Sequence, residues 1–122
     1  RLVEKTKNIE GMQLIIALNY GGKDEILNAA KGIARDVAAK KIREEDIDQD
    51  LFRNYLYLPD VPDPDLIIRP SGEKRISNFY LWQAAYSEFW YSDVLWPDFN
   101  KKHLYKALED YKRRERRYGG IK

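Results

Sequence analysis

A chain of 122 residues with 43% hydrophobic side chains is the size of one domain, or part of one, and carries enough apolar material for a core. Its 22 basic and 20 acidic residues leave a formal charge of +2, too balanced for charge alone to signal a nucleic-acid binder. With no cysteine and one histidine, His103, thiolate chemistry, disulfides, cysteine-ligated zinc and a histidine-based metal centre or triad drop out.

In chain order, "RLVEKTKNIEG" reads as the last turn of a helix plus a loop, which implies an upstream portion. "MQLIIALNYGG" (12–22) is an apolar strand ending in polar residues and two glycines. Over 23–41 the period becomes helical: Ile26, Ala30, Ile33 and Val37 share a face, with Asp24 and Glu25 in the first turn and Lys40 and Lys41 in the last. Residues 44–59 predict a shorter helix with Ile47, Leu51 and Tyr55 aligned, ended by Pro59. "DVPDPD" is a stiff turn, and "LIIR" a second buried strand.

Residues 78–86 predict a short helix capped by Ser77 or Asn78. The aromatic-rich "SEFWYSDVLWP" is a third strand. The last helix starts at an Asn100 cap, buries Leu104, Leu108 and Tyr111, and stops at Gly119 and Gly120. No apolar run approaches the ~20 residues of a membrane span, and no signal peptide is visible. A cytoplasmic location is expected, with at most peripheral contact at the inner membrane face.

Strands alternating with helices imply an α/β protein with a largely parallel sheet flanked by helices, forming one unit over residues 1–122. Such sheets bind ligands at the carboxyl ends of their strands. All three predicted strands end there in polar residues: 19–23, 69–77 and 93–98.

The middle of these is the most informative. Arg69 follows a buried strand, and Arg75 and Ser77 stand two apart, on one side of an extended backbone. Guanidinium N–H donors match phosphate oxygens, and Gly72 permits close backbone approach. Two arginines, a hydroxyl and nearby N–H groups would cradle a diphosphate. A plain surface turn, with the arginines paired to Glu73 and Asp65, is the alternative.

"DPDLIIRPSGEKRISNFYLWQAAYSEFWYSDVLWPDF", with "ALNYGGKDEI" and "RRERRYGG", strongly resembles the cis-prenyltransferases, in particular the bacterial undecaprenyl diphosphate synthase type. The match is to the carboxyl-terminal half of that fold. The resemblance implies repeated condensation of isopentenyl diphosphate with an allylic diphosphate, usually farnesyl diphosphate, making cis double bonds and releasing pyrophosphate with Mg²⁺. The long-chain product would partition to the membrane. It assigns the diphosphate of isopentenyl diphosphate to Arg69, Arg75, Ile76 and Ser77, and help with the Mg²⁺ ion to Glu88. It assigns Arg117 and Gly119, in an Arg-X-Gly element, to a tail that reaches the active site of the partner in a homodimer.

Two departures and one absence qualify it. Pro70 stands where the family usually has threonine, and Lys23 where it has arginine, which keeps charge but loses the fork. The family's catalytic aspartate, in an Asp-Gly-Asn-x-Arg-Trp motif, has no counterpart in these residues. No catalytic residue is therefore assigned, and the chain alone is expected to be inactive. The alternative is a noncatalytic partner subunit of a prenyltransferase dimer. A nucleic-acid role for the arginines and aromatics is disfavoured, since the rings alternate with aliphatics as core and dimer contacts do.

Overall fold

A computed structural model describes residues 2–120. Helix α1 (Leu2–Thr6) leads into a loop, as the opening residues predict. Helices α2 (Gly22–Ala38), α3 (Gln49–Arg53) and α4 (Lys101–Arg113) accompany a pair of parallel strands, β1 (Leu66–Arg69) and β2 (Glu88–Tyr91), and α4 packs against β2. Leu66 pairs with Glu88 and Arg69 with Tyr91, so the strands start and end together. The α/β reading holds, with two strands among the described residues rather than three.

The missing strand is the first. Residues 12–17 take no regular structure, no backbone bond joins them to a neighbour among the described residues, and Met12 and Leu14 are 91% and 76% exposed. A strand exists only through its ladder, and nothing among the described residues supplies one.

Helix α2 follows its period closely, but its inward stripe is Gly22, Glu25, Ala29 and Ile33, and Ala30 is exposed. The segment 44–59 breaks into a single 3₁₀ turn (Glu44–Asp46) and α3, because Asp48 caps a new start by accepting from Leu51 N–H at 2.8 Å. Residues 78–86 form successive turns, not a helix. Ser77, Asn78 and Tyr80 have φ of 49°, 62° and 52°, a hand that a right-handed helix cannot contain.

Asn78 does cap a helix, but it is α2. Its carbonyl accepts from Gly22 N–H at 2.6 Å and its Oδ1 from Lys23 N–H at 2.9 Å. A Cβ on Gly22 would lie 2.7 Å from Leu81 Cγ, so this close approach requires glycine. Asn100 caps α4 as predicted. That helix stops at Arg113, well before the glycines, because Arg114 adopts an extended ψ of 143°. The buried apolar set is small: Ala29, Ile33, Leu56, Ala84 and Ala107.

Candidate functional site

At the carboxyl ends of the strands, Arg69, Arg75 and Ile76 line one hollow of about 360 Å³, with Phe89, Tyr91 and Trp96 on its walls. The loop that shapes it is stitched to the segment after β2. Ser71 N–H donates to Val94 O at 2.8 Å, Gly72 N–H to Ser92 O at 2.9 Å, and Trp96 N–H to Ser71 Oγ at 3.1 Å. Ser71 and Gly72 both take φ of 71°, which tightens the turn and lays it over β2.

The two arginines differ in their partners. Arg69 donates from Nη1 to the Arg75 carbonyl at 2.8 Å and has no carboxylate partner among the described residues. Its guanidinium is oriented but not neutralised. Arg75 is 64% exposed and paired with Glu73, as the surface-turn alternative foresaw. Asp65, the other partner foreseen, takes Arg116 instead. Ser77 adjoins the hollow through Ile76 but does not line it.

Glu88, Arg117 and Gly119 lie elsewhere. Glu88 opens β2 opposite Leu66, about 10 Å along the strand from the level of Arg69. Phe89 and Tyr91 line the hollow, so the pleat turns Glu88 to the other face. There its Oε2 accepts from Arg114 Nη1 at 2.9 Å. The tail lies on this same end: Arg116 donates to Tyr86 O at 3.0 Å, and the Tyr86 and Tyr118 ring centroids are 6.1 Å apart. Arg117 is exposed, with Glu115 at 4.0 Å, the outer limit of an ion pair. Gly119 follows Tyr118 in a turn with φ of 78°.

No three Asp, Glu or His side chains gather to hold a metal ion among the described residues. Glu88 and Asp110 flank one guanidinium, that of Arg114, which engages Glu88 through Oε2. One such carboxylate fits Mg²⁺ when phosphate oxygens and water complete the shell.

At the glycine turn 21–22 Asn78 takes the N–H groups of Gly22 and Lys23, which are therefore not offered to an anion. Beside it lies a cavity of about 510 Å³ whose walls include Ile15, Leu18, Leu58, Val61 and Phe79. Phe79 belongs to both cavities, so the apolar space adjoins the arginine hollow. At its edge Glu25, 2% exposed, accepts from Tyr57 N–H at 3.0 Å, Gln83 Nε2 at 3.1 Å and the Tyr20 hydroxyl. Burial, then the bond to Glu25, holds the Tyr20 phenol well above the ordinary tyrosine range.

In the basic run after α4 the sequence singled out only Arg117 and Gly119, and the structural part played by two other members, Arg114 and Arg116, was missed. Arg114 and Arg116 point inward while Glu115 and Arg117 point out. The signal was available as an Arg-Glu-Arg-Arg alternation at period two.

The family model described as "Putative undecaprenyl diphosphate synthase" matches residues 1–119. The chain is 60% identical over 117 residues to the isoprenyl transferase of Clostridium tetani, covering 96% of this chain and 46% of that protein. It is 55% identical over 116 residues to a geranylgeranyl-diphosphate-specific tritrans,polycis-undecaprenyl-diphosphate synthase of Thermoplasma volcanium, covering 95% and 45%. Among solved structures, lavandulyl diphosphate synthase from Lavandula x intermedia, in complex with dimethylallyl diphosphate, superposes with a TM-score of 0.90 at 40% identity. That match covers 93% of this chain and 49% of the other. The chain thus spans about half the length of the curated relatives it matches.

Proposed function

The chain belongs to the undecaprenyl diphosphate synthase family of prenyltransferases, and on that premise we propose that it carries the isopentenyl-diphosphate site of a cis-prenyltransferase. The observation that carries this reading is Arg69: an oriented guanidinium without a carboxylate partner among the described residues, beside Arg75 in one hollow. A cation left unneutralised at the carboxyl end of a parallel strand is poised for an anionic ligand. The adjoining apolar cavity, sharing Phe79, supports a ligand with hydrocarbon next to its diphosphate.

In this reading Arg69 and Arg75 bind the diphosphate of isopentenyl diphosphate, with Ile76 against it and Ser77 next to Ile76 at the edge of the cradle. The second substrate is an allylic diphosphate, farnesyl diphosphate in the form expected from the resemblance. Glu88 would be the carboxylate this chain offers a Mg²⁺ ion, which when bound would supply charge neutralisation for a departing diphosphate. Because Glu88 and the Arg117–Gly119 element stand at the other end of the strands from Arg69, the reading assigns both to a site shared across a homodimer. An unpaired Arg69 has no use in a noncatalytic partner subunit, which disfavours that alternative.

The test is calorimetric titration of isopentenyl diphosphate into protein of the length its relatives have, wild type against Arg69→Ala and Arg75→Ala. Both variants are expected to bind more weakly, Arg69→Ala by more. Unchanged affinity in both would refute the cradle. Residues 1–122 alone, given both diphosphates and Mg²⁺, are expected to show no sustained chain elongation.

A further inference from the structure

The tail after α4 is held as an extended segment in which alternate side chains turn inward. Arg114 donates from Nη1 to Glu88 at 2.9 Å and to the Phe89 carbonyl at 2.7 Å, and from Nη2 to Asp110 at 3.0 Å. Arg116 donates from Nη1 to the Asp65 carboxylate and to the Tyr111 hydroxyl at 3.2 Å, and from Nη2 to the Tyr86 carbonyl at 3.0 Å. Its guanidinium also lies over the Tyr118 ring, 4.4 Å from the centroid.

Each guanidinium therefore meets three acceptors. Asp65 immediately precedes β1 and Glu88 opens β2, so the two arginines close over the amino ends of both strands. With these acceptors met, both guanidinium groups are committed to the fold rather than turned to a ligand; bonding to Asp110 and then Glu88 raises the Arg114 pKa, and bonding to Asp65 that of Arg116. Arg117, the next outward residue, has only its distant pairing with Glu115.

We infer that Arg114 and Arg116 are positioning residues: a two-point clip that fixes how the tail leaves the fold and presents Arg117 to a diphosphate on a second copy. This rests on the proposed role of Arg117 in a shared site. An arm that carries a cation binds more tightly when its freedom is already removed before the ligand arrives. The clip needs arginine because one planar fork must serve acceptors on separate elements at once, which a lysine ammonium on a flexible stem does not do. Without it Arg117 is still present but spread over many directions. The KM for isopentenyl diphosphate then rises more than kcat falls.

The experiment compares full-length Arg114→Gln, Arg116→Gln, Arg117→Ala and the charge swap Asp65→Arg with Arg116→Asp. It reads amide hydrogen exchange of residues 114–120 alongside KM and kcat. Each glutamine variant is expected to speed exchange of the tail about tenfold and to raise KM about fivefold, as loss of one or two charge-assisted bonds implies. Arg117→Ala should raise KM with exchange unchanged. The swap should recover part of both losses, which a residue touching the diphosphate itself could not do. Unchanged exchange in both glutamine variants, or a swap that restores neither quantity, overturns the clip. An Arg117→Ala variant with unchanged KM removes the shared-site reading instead, and the exchange data separate that failure from failure of the clip.

Discussion

The two ends of the β1–β2 pair hold arginines in opposite states. At the amino ends, Arg114 and Arg116 are each satisfied by a carboxylate and further acceptors, and both side chains are largely covered. At the carboxyl ends, Arg69 is oriented by a carbonyl without an ion-pair partner among the described residues, and Arg75 is shared with one exposed glutamate. The same side chain fastens the chain in one place and is offered to an anion in the other. What separates the two uses is the supply of acceptors, not residue type. Satisfied guanidinium groups add stability, whereas an unsatisfied one adds little and is retained for a ligand.

This contrast predicts opposite mutational signatures. Arg69→Ala is expected to weaken isopentenyl diphosphate binding roughly 10- to 100-fold, the value of charge-assisted hydrogen bonds to a phosphate, with the urea midpoint unchanged. Arg69→Lys should fall between, since it keeps charge without the fork. Arg114→Ala should do the reverse on stability. It strands Glu88 and Asp110 beside each other, and about 1–2 kcal/mol of unfolding free energy should be lost after discounting for partial exposure. A urea midpoint that moves for Arg69→Ala but not for Arg114→Ala would erase the distinction.

Much of this was legible in sequence because it is local. The strand "LIIR", the abrupt Arg69, the Asn100 cap and the amphipathic α4 depend on neighbours within a few positions. What was not legible depends on distant partners. Residues 12–17 have the pattern of a strand, but pairing requires another chain segment, and the curated relatives are about twice as long as this chain. The helix expected over 78–86 fails because Asn78 is turned toward α2, more than fifty positions earlier. Glu88, which the resemblance assigned to the Mg²⁺ ion, is set by the register at the other end and the other face from Arg69. Asp65 likewise sits near Arg69 in sequence yet serves Arg116. Residue types were informative throughout, whereas which arginine met which carboxylate was decided by topology.

A smaller change sharpens the picture at the carboxyl end. Glu73 competes with any incoming phosphate for Arg75. Glu73→Gln should therefore tighten isopentenyl diphosphate binding about threefold, the range of an exposed ion pair, and the gain should shrink in high salt. If Glu73 instead orients Arg75 for the ligand, the same titration will show weaker binding, and the carboxyl end would then resemble the amino end in fastening its arginine with a carboxylate.

A further effect lies away from both ends and calibrates them. Tyr20 donates to the buried Glu25, and its phenol is held in the neutral form by burial and by that bond. A folded-state pKa above the unfolded one means that the native state keeps a proton the unfolded chain gives up. The stabilisation is fully present below about pH 10, the unfolded tyrosine value, and is lost as pH rises beyond it. Tyr20→Phe removes the donor and the titration together. It should lose about 1 kcal/mol at neutral pH, and its stability gap from wild type should narrow steadily above pH 10. Paired urea melts at neutral pH and at alkaline pH check this. A gap that stays constant would mean that the phenol packs against Glu25 without donating to it, and the carboxylate would then rest on Tyr57 and Gln83 alone.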